Sequence, residues 1–193
     1  MATKFRAIAC IGKNYEIGKD GKLIWKLASD MKVFSTVTKW TAVIMGRKTW
    51  ESIGKKSLPF RLNIVLSKDP SYKADDAITF PSFEAAKTFL NGEDIKEAWI
   101  IGGSKIYETA LPDCEELFLT RIDEPCDEAD TYFPEFEVAT SAEDFSKMKN
   151  PFYLLWKSTK YNGNNVPWLP EKKREGGGET QFHFYHYRRV RKS

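Results

Sequence analysis

The sequence predicts a single α/β domain with a central, mostly parallel sheet, antiparallel C-terminal strands, and helices on both faces. Three observations carry this. Short apolar runs alternate with segments of helical spacing from residue 5 to about residue 110. Runs such as Thr41–Met45 and Leu62–Leu66 are almost continuously apolar, as strands covered on both faces are. Beyond residue 115 the runs Leu117–Ile122, Tyr153–Thr159 and Phe182–Tyr187 read as strands, with no clear helical pattern between the last two. The 193 residues suit one domain spanning 1–193.

Each element has a local reason. Phe5–Ile11 is a strand. Leu27–Thr36 has apolar residues at helical spacing. Thr41–Met45 is a buried strand that Gly46 ends, and Lys48–Ile53 is a helical turn. Leu62–Leu66 is the next strand. Ser82 is an N-cap for a helix to Leu90, with Phe83, Ala86, Phe89 and Leu90 on one face. Ala98–Ile101 is a strand, and Gly102-Gly103-Ser104 opens a helix to about Ala110. Asn162–Asn165 and Glu171–Gly178 are turn-rich, so 161–180 reads as a long surface excursion.

Composition narrows the class. Hydrophobic residues make up 41% and aromatics 14%, which excludes a wholly disordered chain. The net charge of +3 hides a division: residues 1–70 carry +9, 71–150 carry −12 and 151–193 carry +6. The basic first block is a candidate anion site. Cys10, Cys114 and Cys126 are irregularly spaced and only His183 and His186 are present, so neither a metal site nor a disulfide scaffold is expected. No apolar run approaches the ~18 residues that span a bilayer. The N-terminus lacks a signal-peptide core, so a cytoplasmic protein without membrane association is expected.

Asp30 is the sharpest local oddity. It interrupts the apolar stripe of Leu27, Met31 and Phe34. A lone carboxylate there is costly without partners. Either the helix is shifted and the aspartate caps something, or it lies at the floor of an apolar pocket and pairs with a polar group of a flat ligand. Trp25 and Phe34 then supply aromatic walls.

Two strand-to-helix junctions suit phosphate. Val43–Thr49 stops a strand at Gly46 and starts a helix with Arg47, Lys48 and Thr49. Ile100–Lys105 does the same with Gly102, Gly103 and Ser104. Neither matches GxGxxG or the P-loop, and glycine at such turns is often plain architecture. Two together, both with cations, point to a dinucleotide.

Several motifs follow one another in a specific order. They are Ile17-Gly18, Leu23-Ile24-Trp25-Lys26-Leu27-Ala28-Ser29-Asp30 and Val43-Ile44-Met45-Gly46-Arg47-Lys48-Thr49-Trp50-Glu51-Ser52-Ile53. Then come Leu58-Pro59-Phe60-Arg61-Leu62-Asn63-Ile64-Val65-Leu66-Ser67, Trp99–Tyr107, Leu119-Thr120-Arg121-Ile122 and Asp130-Thr131-Tyr132-Phe133-Pro134. Over roughly residues 5–135 this series resembles the dihydrofolate reductase family.

The resemblance implies NADPH-dependent reduction of 7,8-dihydrofolate to 5,6,7,8-tetrahydrofolate, in support of one-carbon metabolism and of thymidylate, purine and glycine synthesis. It implies that Asp30 holds the pterin, supported by Thr120, with Trp25 holding an ordered water. Ile8, Met31, Phe34, Ile53, Leu58, Ile101 and Tyr107 are implied substrate contacts, and Arg61 grips the glutamate α-carboxylate. For the cofactor the implied set is Cys10, Ile17, Gly18, Gly46, Arg47, Lys48, Thr49, Ser67, Lys68, Gly102, Gly103, Ser104, Lys105 and Ile106. Ser67 and Lys68 are assigned to the 2′-phosphate, and Ile17–Leu23 to a loop over the nicotinamide. Folate-analogue inhibitors are expected to bind, and a monomer is expected.

Two residues depart from the family pattern. Ile24 replaces the usual proline before the tryptophan, which loosens that loop. Phe60 replaces a glycine, which strains the turn if φ is positive. A related pterin or pyrimidine reductase is the nearer alternative, opposed by Asp30 together with Arg61. A nucleic-acid module using Arg188–Lys192 is the more distant one, and nucleic acid is not an expected partner.

Overall fold

The computed structural model describes residues 2–148, 151–158 and 180–190. The expected excursion, except Thr180, and the end of the basic tail lie outside them. In chain order the first elements are β1 (Lys4–Ile11), β2 (Glu16–Lys19), β3 (Lys22–Leu23), α1 (Ala28–Val37), β4 (Ala42–Gly46) and α2 (Arg47–Ser52). Then come β5 (Leu62–Leu66), β6 (Ile78–Phe80), α3 (Phe83–Gly92), β7 (Glu97–Gly102), α4 (Ser104–Ala110) and β8 (Cys114–Ile122). The last are β9 (Thr131–Tyr132), α5 (Ala142–Lys147), β10 (Phe152–Lys157) and β11 (Phe182–Arg189). The chain packs as two compact units: Met1–Ile8 with Ser35–Cys114, and Ala9–Phe34 with Glu115–Ser193.

The first unit is a parallel sheet in the order β1–β7–β4–β5–β6. Its strands read as continuous apolar runs because both faces are covered: Ala42–Met45 and Ile64–Val65 expose essentially nothing. Helix α3 is capped as its sequence predicts, with Ser82 Oγ accepting from Ala85 N at 3.2 Å. It buries Phe83, Ala86 and Leu90, and Phe83 meets Phe5 edge-on at 5.2 Å. The register pairs Gly46 with Leu66 and Met45 with Gly102, so three strand ends lie level.

At the other end of these strands, a loop enters β5 in a costly conformation. Trp40 (φ +63°) and Phe60 (φ +60°) both adopt the left-handed region. Trp40 N–H donates to the Phe60 carbonyl at 2.8 Å, and the two exposed rings meet at 5.0 Å. Phe60 thus adopts positive φ, the condition under which the sequence predicts strain in this turn. Buried Asn63 holds the loop in place. Its Oδ1 accepts from Leu58 N at 3.0 Å, and its Nδ2 donates to the carbonyls of Leu58 (2.9 Å) and Arg61 (3.0 Å).

In the second unit β10, β11 and β8 pair antiparallel, as expected, with β8 beside β1. Arg188 donates twice to buried Glu116, at 3.0 and 2.7 Å, locking β11 to β8. A small sheet, β3–β2–β9, takes β2 and β3 from the chain between β1 and α1 and β9 from the chain after β8. A core of Trp25, Leu27, Ile122 and Phe182 gathers Cys10, Ile24, Cys126 and Phe184 around it.

The structure differs from the sequence reading at several points. Helix α1 begins at Ala28, and Leu27 precedes it, its carbonyl accepting from Met31 N at 3.0 Å. Met31 is exposed and Phe34 half-buried, so the apolar stripe is not a buried face. β2, β3, β6 and β9 are two to four residues long, too short for a periodic signal. Helix α5 carries a capping box of Ser141 and Asp144 that the sequence displayed and the reading passed over. Among the described residues, no helix is long and apolar enough to cross a membrane.

Phe60→Gly should be more stable than Phe60→Ala by about 1 kcal/mol, because only glycine meets positive φ without strain. Urea titration of the two variants measures the difference, and equal midpoints would exclude strain at residue 60.

Candidate functional site

In the second unit, α1 places Asp30 in its first turn, half-buried. The β8 residue Thr120, itself buried, donates from Oγ1 to Asp30 Oδ1 at 2.5 Å. The carboxylate is held from one side by a neutral hydroxyl, which orients it without neutralising its charge. The sequence alone left capping and a pocket carboxylate open. The hydrogen bond from a distant strand shows that this aspartate is oriented by tertiary structure.

Trp25 and Cys10 belong to the same neighbourhood. Trp25 is buried, and its Nε1 has no hydrogen-bond partner among the described residues. That is a donor with a desolvation cost and nothing among the described residues to offset it. Burial raises the Cys10 thiol well above its usual range, and the Asp30 charge adds to the shift. Cys10 therefore stays a neutral thiol, a small filler against the Trp25 core. Ile17 and Gly18 are buried in β2, which pairs with β3 and β9.

In the first unit the level strand ends bring the two junctions together. A Cβ on Gly46 would approach Ile106 Cγ1 to 3.0 Å and Gly103 N to 3.9 Å. One on Gly103 would lie 3.4 Å from Thr49 Oγ1. Gly102 has φ +117°, which side chains rarely adopt. The result is a floor of backbone at the carboxyl ends of β4 and β7, the usual place for a ligand in an open α/β sheet. Lys48 and Lys68 are exposed. Ser67 is buried just after β5, its Oγ accepting from Asp69 N at 3.2 Å. Arg47 is partly committed: it lies 3.6 Å from Asp69 and 3.7 Å from Glu51 and stacks over Tyr72 at 5.4 Å. Lys105 is exposed and pairs with Glu108 at 2.9 Å. Ser104 begins α4.

Arg61, also in the first unit, is held on three sides. Nε donates to Thr38 Oγ1 at 2.8 Å, Nη1 to the Pro59 carbonyl at 2.7 Å and Nη2 to the Ser35 carbonyl at 3.0 Å. Partial burial lowers its pKa from the ordinary value, though a guanidinium keeps its charge. Ile8 is buried, and Tyr107 is buried with its hydroxyl donating to the Ile8 carbonyl at 2.8 Å. Ile101 and Leu58 are half-buried and Ile53 is exposed.

Sequence reasoning missed the braces: Asn63 under Arg61, Thr38 and Ser35 beside it, and Glu16 beside Trp25. Polar residues in loops look alike in sequence, and only folding shows which are buried. Among the described residues, no group of three or more His, Cys, Asp or Glu side chains is placed to hold a metal ion.

The chain is similar to known proteins. A family model described as dihydrofolate reductase matches residues 4–153. Dihydrofolate reductase type 3 of Salmonella typhimurium is 43% identical over 129 residues, covering 67% of this chain and 77% of its own. Dihydrofolate reductase of Neisseria gonorrhoeae is 40% identical over 134 residues, covering 69% and 81%. Among solved structures, dihydrofolate reductase from Enterococcus faecalis complexed with NADP(H) and RAB-propyl superposes with a TM-score of 0.73 at 28% identity. That match covers 96% of both chains.

Because its thiol is held neutral, Cys10 should resist alkylation by iodoacetamide at pH 8 in the folded protein and react once urea unfolds it. Rapid labelling of the native protein at Cys10, read by peptide mass spectrometry, would contradict the raised pKa.

Proposed function

Since this chain belongs to the dihydrofolate reductase family, we propose that it reduces 7,8-dihydrofolate to 5,6,7,8-tetrahydrofolate, with hydride transfer to pterin C6 and protonation at N5. It is an oxidoreductase. Its product then feeds one-carbon metabolism and the synthesis of thymidylate, purines and glycine. The observation that carries the reading is the Asp30 carboxylate oriented by Thr120 beside a buried indole.

The protein residues fit NADPH. The backbone floor of Gly46, Gly102 and Gly103 carries no side chains that would block a phosphate, and Lys48 and Lys68 stand exposed at the same strand ends. NADPH supplies the hydride when bound. Ser67 and Lys68 are suited to its 2′-phosphate, and Thr49 and Ser104 to the diphosphate.

Asp30 accepts hydrogen bonds from the pterin 2-amino group and N3. It orients the ring and favours its protonated, electron-poor form. It sits too far round the ring to hand a proton to N5, so a water held near Trp25 Nε1 delivers it. Arg61, preset by Thr38, Pro59 and Ser35, grips the glutamate α-carboxylate. The cytoplasm is the compartment most consistent with three cysteines held as thiols. The nucleic-acid reading gains no support: Arg188 is bound to Glu116, and Arg189 lies over Phe152 at 4.1 Å.

NADPH absorbance should fall only when dihydrofolate is added, and substrate-independent loss alone would refute the activity. Asp30→Asn should lower turnover by about a hundredfold or more while NADPH binding changes little. Equal turnover of the two proteins at neutral pH would remove Asp30 from the mechanism. Lys68→Ala should raise KM for NADPH and leave KM for NADH unchanged, since only the former carries the extra phosphate.

A further inference from the structure

Glu16 is a buried carboxylate that the proposed reaction does not use. It is 2% exposed, at the start of β2. Its two oxygens serve two backbone donors from separate segments: Oε2 accepts from Asn14 N at 2.7 Å, and Oε1 from Cys126 N at 3.0 Å. Its own carbonyl accepts from Gly12 N at 2.8 Å. A Cβ on Gly12 would lie 2.4 Å from both Glu16 Oε2 and Trp25 Cη2. The carboxylate and the indole therefore both close over Gly12. Cys126, whose N–H Glu16 holds, packs its side chain against the Trp25 core.

We propose that Glu16 is a positioning residue that sets Trp25 and the root of the β2–β3 hairpin. The hairpin leaves the body of the unit at Glu16 and returns through Leu23, two residues before Trp25. Its outgoing and returning ends are thus fastened at one point. A carboxylate suits this point because both facing groups are donors. Glutamine would turn an NH2 toward one of them, and alanine would leave both buried N–H groups unpaired. Gly12 is required at the same point, since any side chain there would overlap both the carboxylate and the ring and displace one of them. The consequence for turnover rests on the role of Trp25 given above; the fastening of the hairpin does not.

The test compares wild type, Glu16→Gln, Gly12→Ala and the double variant by thermal melting, steady-state kinetics and limited trypsin digestion read site by site. Lys19 and Lys22 in the hairpin are the reporter sites. Glu16→Gln should cleave there about tenfold faster and lose about tenfold in kcat, with KM for NADPH changed less than twofold. Gly12→Ala should do the same, and the double variant should be no worse than the stronger single one. Unchanged cleavage in folded Glu16→Gln would overturn the proposal. So would additive effects, or a kcat loss that merely follows the unfolded fraction. Should Glu16→Gln fail to fold, Glu16→Asp, which keeps the charge but not the reach, is judged by the same criteria. If wild type shows no dihydrofolate-dependent turnover, the reductase reading fails, while the cleavage rates still decide the role of Glu16.

Discussion

The parallel pairing of β4 with β5 and β7 is the constraint on which the first unit depends. Parallel ladders keep their strands in step, so chain ends that are far apart in sequence finish side by side. That register places Gly46, Leu66 and Gly102 level. It also sets the residues that follow each of them, Arg47, Ser67 and Gly103, along one rim. The sheet must be covered on both faces to exist at all, which explains why its strands are so uniformly apolar. The polar residues of this unit are consequently pushed to the strand ends, where a charged ligand can meet them.

The second unit works by a different rule. Several of its carboxylates are taken partly or wholly out of water, and each is stabilised by donors from elsewhere in the chain. Thr120 reaches Asp30 from β8, Arg188 reaches Glu116 from β11, and the backbone of Asn14 and Cys126 reaches Glu16. Buried acids of this kind are expensive when unpaired and stiff when paired. The charge blocks of the sequence reflect this only in part. In the basic block at residues 1–70, Lys48 and Lys68 are exposed, while Arg61 is hydrogen-bonded within the protein and Arg47 shares its charge with Asp69 and Glu51.

Most of the fold was legible in the sequence because its long elements carry strong periodic or apolar signals. The Leu62–Leu66 strand was read to the residue, and the Ser82 cap was read with its helix. The hairpin at Glu16–Leu23 was not, since four- and two-residue strands have no period to detect. Asp30 stood out as a charge in an apolar stripe, yet the reason first given was incomplete. Met31 turned out exposed, and it is Thr120 that explains the carboxylate. The braces Asn63 and Glu16 were invisible because their burial is a tertiary fact with no local signature.

Phe60 shows how a loop can be stiffened by an unfavourable residue. A glycine in its place would lose more backbone freedom on folding than any other residue does. Phenylalanine has fewer conformations to give up, so its loop trades ordering entropy for strain in the folded chain. Asn63 and the Trp40 ring hold that strain in place. The segment presenting Arg61 should accordingly keep its shape over a wide temperature range, because its order depends less on entropy than a glycine loop's would.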